Sequence, residues 1–204
     1  STAVSALSTP SLFFTGANSS SLFTLNNPMS SNNSNASKIK VIGVTGTNGK
    51  TTSTTLLYKA LNEMGKKTGL IGTNGLYYPE GFIPLNNTTP DGLLLMRYFK
   101  QFKDLGIQTV VMEVSSHALV LGRVDHIQYK VAVFTNLTQD HLDFHKDLED
   151  YRNAKEKLFH KTTMANIINI DDEGGSKIYE NIKSLNIPAY TYGIDNKADF
   201  MAKD

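Results

Sequence analysis

Between residues 38 and 204, short apolar runs alternate with amphipathic stretches. Lys38 to Val44 is a β-branched run that reads as a buried strand, and Lys50 to Met64 sets Leu57, Ala60, Leu61 and Met64 at helical spacing. Lys67 to Ile71 predicts a second strand. Leu76 to Leu85 alternates around Pro79-Glu80-Gly81 and predicts a hairpin or loop excursion. Thr89-Pro90 has the form of a helix start, threonine as cap and proline in the first turn, for a helix carrying Leu93, Met96, Phe99 and Phe102. Strands follow at Thr109 to Met112, Lys130 to Phe134 and Ala165 to Ile170, with helices at Asp147 to Phe159 and Asp171 to Ser184. Strands alternating with helices predict an α/β fold, a mostly parallel sheet with helices on both faces. Ligands in such folds gather at the carboxyl ends of the strands.

Residues 1–37 break this pattern. They hold no charged residue, 11 serines and 6 asparagines, a composition with little reason to bury a core. The segment lacks the basic start and long apolar stretch of a secretory signal. It reads as a low-complexity linker or a remnant of tag removal, and the domain is expected to occupy residues 38–204. Overall the chain of 204 residues is 40% hydrophobic and 19% charged, with a net charge of +1. That balance gives no electrostatic reason for a nucleic-acid or membrane partner. No apolar run approaches the roughly 20 residues of a membrane span. The absence of cysteine excludes a disulfide framework and thiolate metal ligands, and fits a cytoplasmic protein.

The sharpest chemical signal is Gly43-Val44-Thr45-Gly46-Thr47-Asn48-Gly49-Lys50-Thr51-Thr52, which follows a strand and opens a helix. Gly46 and Gly49 permit the tight turn that lets N–H groups converge on phosphate oxygens, where the helix N-terminus adds partial positive charge. Lys50 is placed to reach the terminal phosphates, and Thr51 to offer a hydroxyl to Mg²⁺. The general phosphate-loop pattern wants its first glycine at position 44, which is valine; glycines stand at 43 and 46 instead. In that departure, residues 46–52 resemble the ATP loop of the Mur ligases and folylpolyglutamate synthetases.

Further motifs extend the resemblance to the Mur ligases from about Ile39 to Asp204. Glu113 ends a strand beside the loop; by position alone it is either a Mg²⁺ ligand or a solvated carboxylate. Glu113-Val114-Ser115-Ser116-His117-Ala118-Leu119 is similar to a Mur motif, which implies the metal role. His117 beside two serines lacks the surroundings of a hydrolase nucleophile. Asn136-Leu137-Thr138-Gln139-Asp140-His141 is a second Mur-like run. It implies Asn136 in nucleotide binding and His141 on a second Mg²⁺, with Asp140 and Asp143 as orienting or capping residues. His145 reads as structural or exposed. Spacing alone would leave Lys155 solvated; the resemblance of Tyr151 to Phe159 to a Mur segment implies that Lys155 carries a carbamate, an anionic oxygen ligand for Mg²⁺.

Asn87, Thr88 and Thr89 are similar to the Mur segment that contacts the muramoyl peptide, and Ser115 and Arg123 match other substrate contacts. Leu121 stands where some members carry glutamine. The resemblance implies an ATP-dependent amide ligase that adds L-lysine or meso-diaminopimelate to UDP-N-acetylmuramoyl-L-alanyl-D-glutamate, in peptidoglycan synthesis and through an acyl phosphate. Thr88-Thr89, Ser115 to Leu119 and Asp140 to His145 point to the tripeptide-forming branch. ATP and Mg²⁺ are the implied cofactors. The implied partners are small molecules alone, and a monomer is expected. The family enzyme has three domains, so the chain is expected to be an incomplete central domain, inactive by itself; the alternatives are a non-catalytic nucleotide-binding fragment or another ligase of the Mur and folylpolyglutamate synthetase superfamily.

Overall fold

The computed structural model describes residues 39–139 and 144–202; segment 1–37, His141, Asp140 and Asp143 lie outside the described residues. Nine strands form one sheet: β1 (Lys40–Thr45), β2 (Thr68–Gly72), β3 (Gly75–Tyr78), β4 (Gly81–Ile83), β5 (Thr109–Glu113), β6 (Tyr129–Phe134), β7 (Thr162–Asn169), β8 (Ala189–Gly193) and β9 (Phe200–Met201). Their order is β4-β3-β2-β5-β1-β6-β7-β8-β9. From β2 to β9 every neighbouring pair is parallel, while β3 and β4 add an antiparallel hairpin at one edge. The hairpin is the excursion expected around Pro79-Glu80-Gly81. The connection from β1 runs to β2 on one side and that from β5 runs to β6 on the other, so a crevice opens at the carboxyl ends of β1 and β5.

Among the described residues five α-helices connect the strands: α1 (Lys50–Glu63), α2 (Gly92–Asp104), α3 (Ser116–Val120), α4 (Leu148–Glu156) and α5 (Glu173–Ile182). Successive strand residues face opposite sides of a sheet. Leu70 of β2 lines a cavity with Thr51, Thr55 and Tyr58 of α1. Its neighbour Gly69 lies under the Phe102 ring of α2, where an added Cβ would come within 2.7 Å of it. Helices α1 and α2 therefore cover opposite faces, as the alternating pattern predicts.

Two details of the α2 reading are corrected. Asp91, not Thr89, caps the helix by accepting a hydrogen bond from the Leu94 N–H, so Pro90 precedes the cap. The Thr89 hydroxyl is drawn instead to β5, where it donates to the Glu113 carbonyl at 2.9 Å. Leu93 and Met96 are also exposed, and the buried face is Leu95 and Phe102. Similarly, α1 buries Thr54 rather than the Leu57–Met64 stripe, which is at most half-buried. Strands β8 and β9 were not expected from the pattern.

The core runs along both faces, with Val110, Met112, Phe134, Leu158 and Ile178 fully buried. Phe102 is also fully buried and meets Tyr78 edge-on at 6.2 Å. Phe102→Ala is expected to cost about 3–5 kcal/mol, because the cavity above Gly69 cannot collapse onto a glycine. Denaturant unfolding of the chain checks this; a loss well under 1 kcal/mol would contradict the packing.

Candidate phosphate and metal site

The loop between β1 and α1 is shaped by its glycines. Gly46 has φ 147°, and an added Cβ would lie 1.9 Å from Thr135 Oγ1. Gly49 has φ 81°, left-handed, directly before α1. The end of β6 braces the loop. Thr135 Oγ1 donates to the Asn48 carbonyl at 2.6 Å. Asn136 takes the Asn48 N–H on its Oδ1 at 2.9 Å and returns its Nδ2 to the Asn48 carbonyl at 3.2 Å. The Thr47 N–H is held by the Asn136 carbonyl at 2.8 Å, and Thr47 Oγ1 accepts the Thr138 N–H at 3.0 Å.

Two lysines converge on the start of this loop. Lys50 Nζ donates to the carbonyls of Gly46 at 2.9 Å and Thr47 at 2.7 Å. Lys155 is 1% exposed; its Nζ donates to the same Gly46 carbonyl at 3.0 Å and lies 4.0 Å above the Tyr151 ring. Helix α4 achieves this with Tyr151 and Lys155 four residues apart on one face, after Asp147 caps its start by accepting the Asp150 N–H.

On the other side of the loop a cavity of about 260 Å³ is lined by residues 47–52 together with Thr73, Thr88, Glu113 and Ser115. Glu113 is 1% exposed. One carboxylate oxygen accepts the Thr73 N–H and the other the Thr73 hydroxyl, each at 3.0 Å. Thr88 Oγ1 lies 3.0 Å from Thr73 Oγ1. Each carboxyl oxygen keeps further acceptor capacity, so a buried acidic side chain and Thr51 border one cavity. Hard oxygen donors of this kind suit Mg²⁺, which takes few protein ligands and fills the rest from phosphate and water. The residues fit the ion in that sense, although among the described residues no group of three or more His, Cys, Asp or Glu gathers to hold a metal.

Of the expected substrate residues, Thr88 and Ser115 line the cavity. Thr89 is buried behind it, bonding the Glu113 carbonyl and the Ser115 N–H. Arg123 Nη1 reaches the Thr89 carbonyl at 3.3 Å. Asn87 is exposed and lies outside the cavity lining. The sequence reading passed over Thr73, Thr135 and Thr138; Thr73 and Thr135 carry no local sign that distinguishes them from surface threonines, whereas Thr138 falls within the run from Asn136 to His141. It passed over the role of Tyr151 too, although its spacing from Lys155 was a usable signal. His145, expected to be bland, is 2% exposed.

The fold and this loop define a domain of the Mur ligase family: residues 44–204 match the family model of the Mur ligase middle domain, and the chain belongs to that family. It is 62% identical over 167 residues to a UDP-N-acetylmuramoyl-L-alanyl-D-glutamate–2,6-diaminopimelate ligase of Clostridioides difficile (strain 630), covering 82% of this chain and 34% of that protein. A Bacillus velezensis relative of the same name is 45% identical over 174 residues, 81% of this chain and 35% of that one. Thus the chain spans about a third of the length of the curated relatives it matches. A solved structure of a ligase so named superimposes with a TM-score of 0.72 at 31% identity, over 81% of this chain and 34% of that one. E. coli FolC, in complex with DHPP and ADP, shares the fold with a TM-score of 0.57 at 20% identity, over 78% of this chain and 44% of that one. Among the described residues no helix is long and apolar enough to cross a membrane.

Proposed function

We propose that residues 38–204 are the nucleotide-handling domain of an ATP-dependent amide ligase. The ligase would join diaminopimelate to UDP-N-acetylmuramoyl-L-alanyl-D-glutamate, as the names of its relatives state for them. The observation that carries the reading is the shared cavity. The loop that ends in Lys50-Thr51-Thr52 faces a buried carboxylate, Glu113, across a space already bordered by Thr88 and Ser115.

In this reading the N–H groups of residues 46–52 cradle the ATP phosphates, and Lys50 exchanges its two loop carbonyls for phosphate oxygens. Thr51 and Glu113 would hold one Mg²⁺, and His141 and a carbamate on Lys155 would hold a second. Magnesium bound there supplies positive charge against the charge spread over the phosphoryl oxygens. Asn87, Thr88, Ser115 and Arg123 orient the muramoyl dipeptide, and the buried Thr89 positions Ser115 by accepting its N–H. Its carboxylate attacks the γ-phosphorus, the bond to ADP breaks, and an acyl phosphate forms. The amine of the diamino acid attacks the acyl carbon, a proton and inorganic phosphate leave, and the amide remains. The protein supplies position and charge and needs no nucleophilic side chain. The Lys155 carbamate forms when the neutral amine attacks CO₂, making one N–C bond and releasing one proton. Such an enzyme works on small cytoplasmic metabolites, and this chain alone is expected to bind nucleotide without forming amide.

Calorimetric titration of the chain with ATP and Mg²⁺ tests the reading. Lys50→Ala is expected to weaken binding by about tenfold or more, since it removes one charge-assisted contact to phosphate. If wild type does not bind, or Lys50→Ala binds equally well, the phosphate role is lost.

A further inference from the structure

Ser116, His145 and Asp150 form a hydrogen-bonded chain that ties together two parts of the site. His145 Nε2 lies 2.9 Å from Ser116 Oγ, and His145 Nδ1 lies 3.2 Å from Asp150 Oδ2. Both His145 and Ser116 are 2% exposed. The order of groups is that of a hydrolase triad, but the serine is sealed from any substrate. Position gives the chain a different use. Ser116 opens α3 and directly follows Ser115, three residues after Glu113, while Asp150 sits in the first turn of α4, one residue before Tyr151. The imidazole also lies against the Tyr151 ring, with centroids 4.8 Å apart. That ring carries the Lys155 amine on its face, and its hydroxyl stands 3.5 Å from Thr47 Oγ1.

The hydrogen-bond roles are consistent along the chain. The bond to His145 holds the Asp150 carboxyl below the usual carboxylate range, so Asp150 is the acceptor and Nδ1 carries the hydrogen. On the other side of the ring, Nε2 and the Ser116 hydroxyl complete the chain at 2.9 Å. One buried ring thus fastens the segment after β5 to the helix after β6.

We propose that His145 is a positioning residue: it locks α4 to the start of α3 and so fixes the Lys155 amine beneath the phosphate loop. Its importance for catalysis rests on the role given to Lys155 above, but the placement can be tested without it. Lysine acylation by an activated ester, followed by peptide mass spectrometry, measures access to each amine in the chain. In wild type Lys155 is expected to react far more slowly than exposed Lys157. His145→Ala should raise the Lys155 rate about tenfold or more, as local opening admits reagent, with Lys157 unchanged. His145→Gln, which keeps a donor and an acceptor, should restore part of the protection. A folded His145→Ala whose Lys155 stays protected overturns the proposal.

Should His145→Ala fail to fold, Asp150→Ala cuts the tie at its exposed end. It is expected to raise the Lys155 rate about threefold, and no rise overturns the proposal equally. Carbon-13 bicarbonate spectra add a second readout: a Lys155 carbamate signal in wild type should be lost in His145→Ala. A wild type without that signal removes the carbamate reading and leaves the tie to be decided by acylation.

Discussion

Lys155→Ala is expected to lower muropeptide-dependent phosphate release by about a thousandfold or more when this domain is assayed within a ligase of its relatives' length. Two losses combine. The truncation removes the amine bonded to the Gly46 carbonyl at 3.0 Å, and with it any carbamate oxygen for magnesium. Lys157→Ala, two residues along and exposed, should turn over almost as wild type does. A short carboxylate such as acetate or propionate should restore part of the rate, because it returns an anionic oxygen to the space the side chain left. Rescue by carboxylate distinguishes a missing ligand from a damaged helix, which no small anion repairs. Near-normal turnover of Lys155→Ala would remove this lysine from the chemistry.

Gly46→Ala is expected to cost about 2–4 kcal/mol of stability, lowering Tm by roughly 6–12 °C, and to abolish nucleotide binding. The backbone there has φ 147°, and the new methyl would fall 1.9 Å from Thr135 Oγ1. That hydroxyl cannot step aside freely, since it donates to the Asn48 carbonyl at 2.6 Å and braces the loop. Moving it would break that bond and leave the Asn48 carbonyl to Asn136 Nδ2 alone, at 3.2 Å. Gly49→Ala is the informative contrast. Its φ of 81° is left-handed, but the nearest atom to a new Cβ is 3.8 Å away. It should cost only about 1–2 kcal/mol from the backbone alone. Equal losses at the two positions, measured by thermal unfolding, would mean that strain rather than the Thr135 clash dominates.

The candidate site was legible where its chemistry is local. Gly46, Gly49, Lys50 and Thr51 announce a phosphate loop because the turn, the helix start and the cation lie within a few residues of one another. Lys155 shows the opposite case. Its neighbours in sequence are those of a solvated helix, and by pattern alone it would stay exposed; only the family resemblance singled it out. The structure buries it because Tyr151 and the Gly46 carbonyl, 109 residues away in the chain, close over it. Thr89 was misjudged for the same reason. A threonine before proline satisfies the rules of a helix cap, yet its hydroxyl is taken by the Glu113 carbonyl from across the sheet, and Asp91 caps instead.

What the sequence by itself determined is therefore the alternation of strand and helix, the hairpin around Pro79-Glu80-Gly81 and the phosphate loop. These depend on periodicity and on backbone preferences that act over a few residues. The tertiary structure alone decided that Glu113 is anchored by Thr73, that Thr135 and Asn136 brace Asn48, and that His145 joins Ser116 to Asp150. Apart from His145 and Asp150, which lie five residues apart, those are bonds between groups brought together by the order of strands in the sheet. Their energy comes from burial and long-range pairing, which leave no mark in the spacing of neighbouring residues.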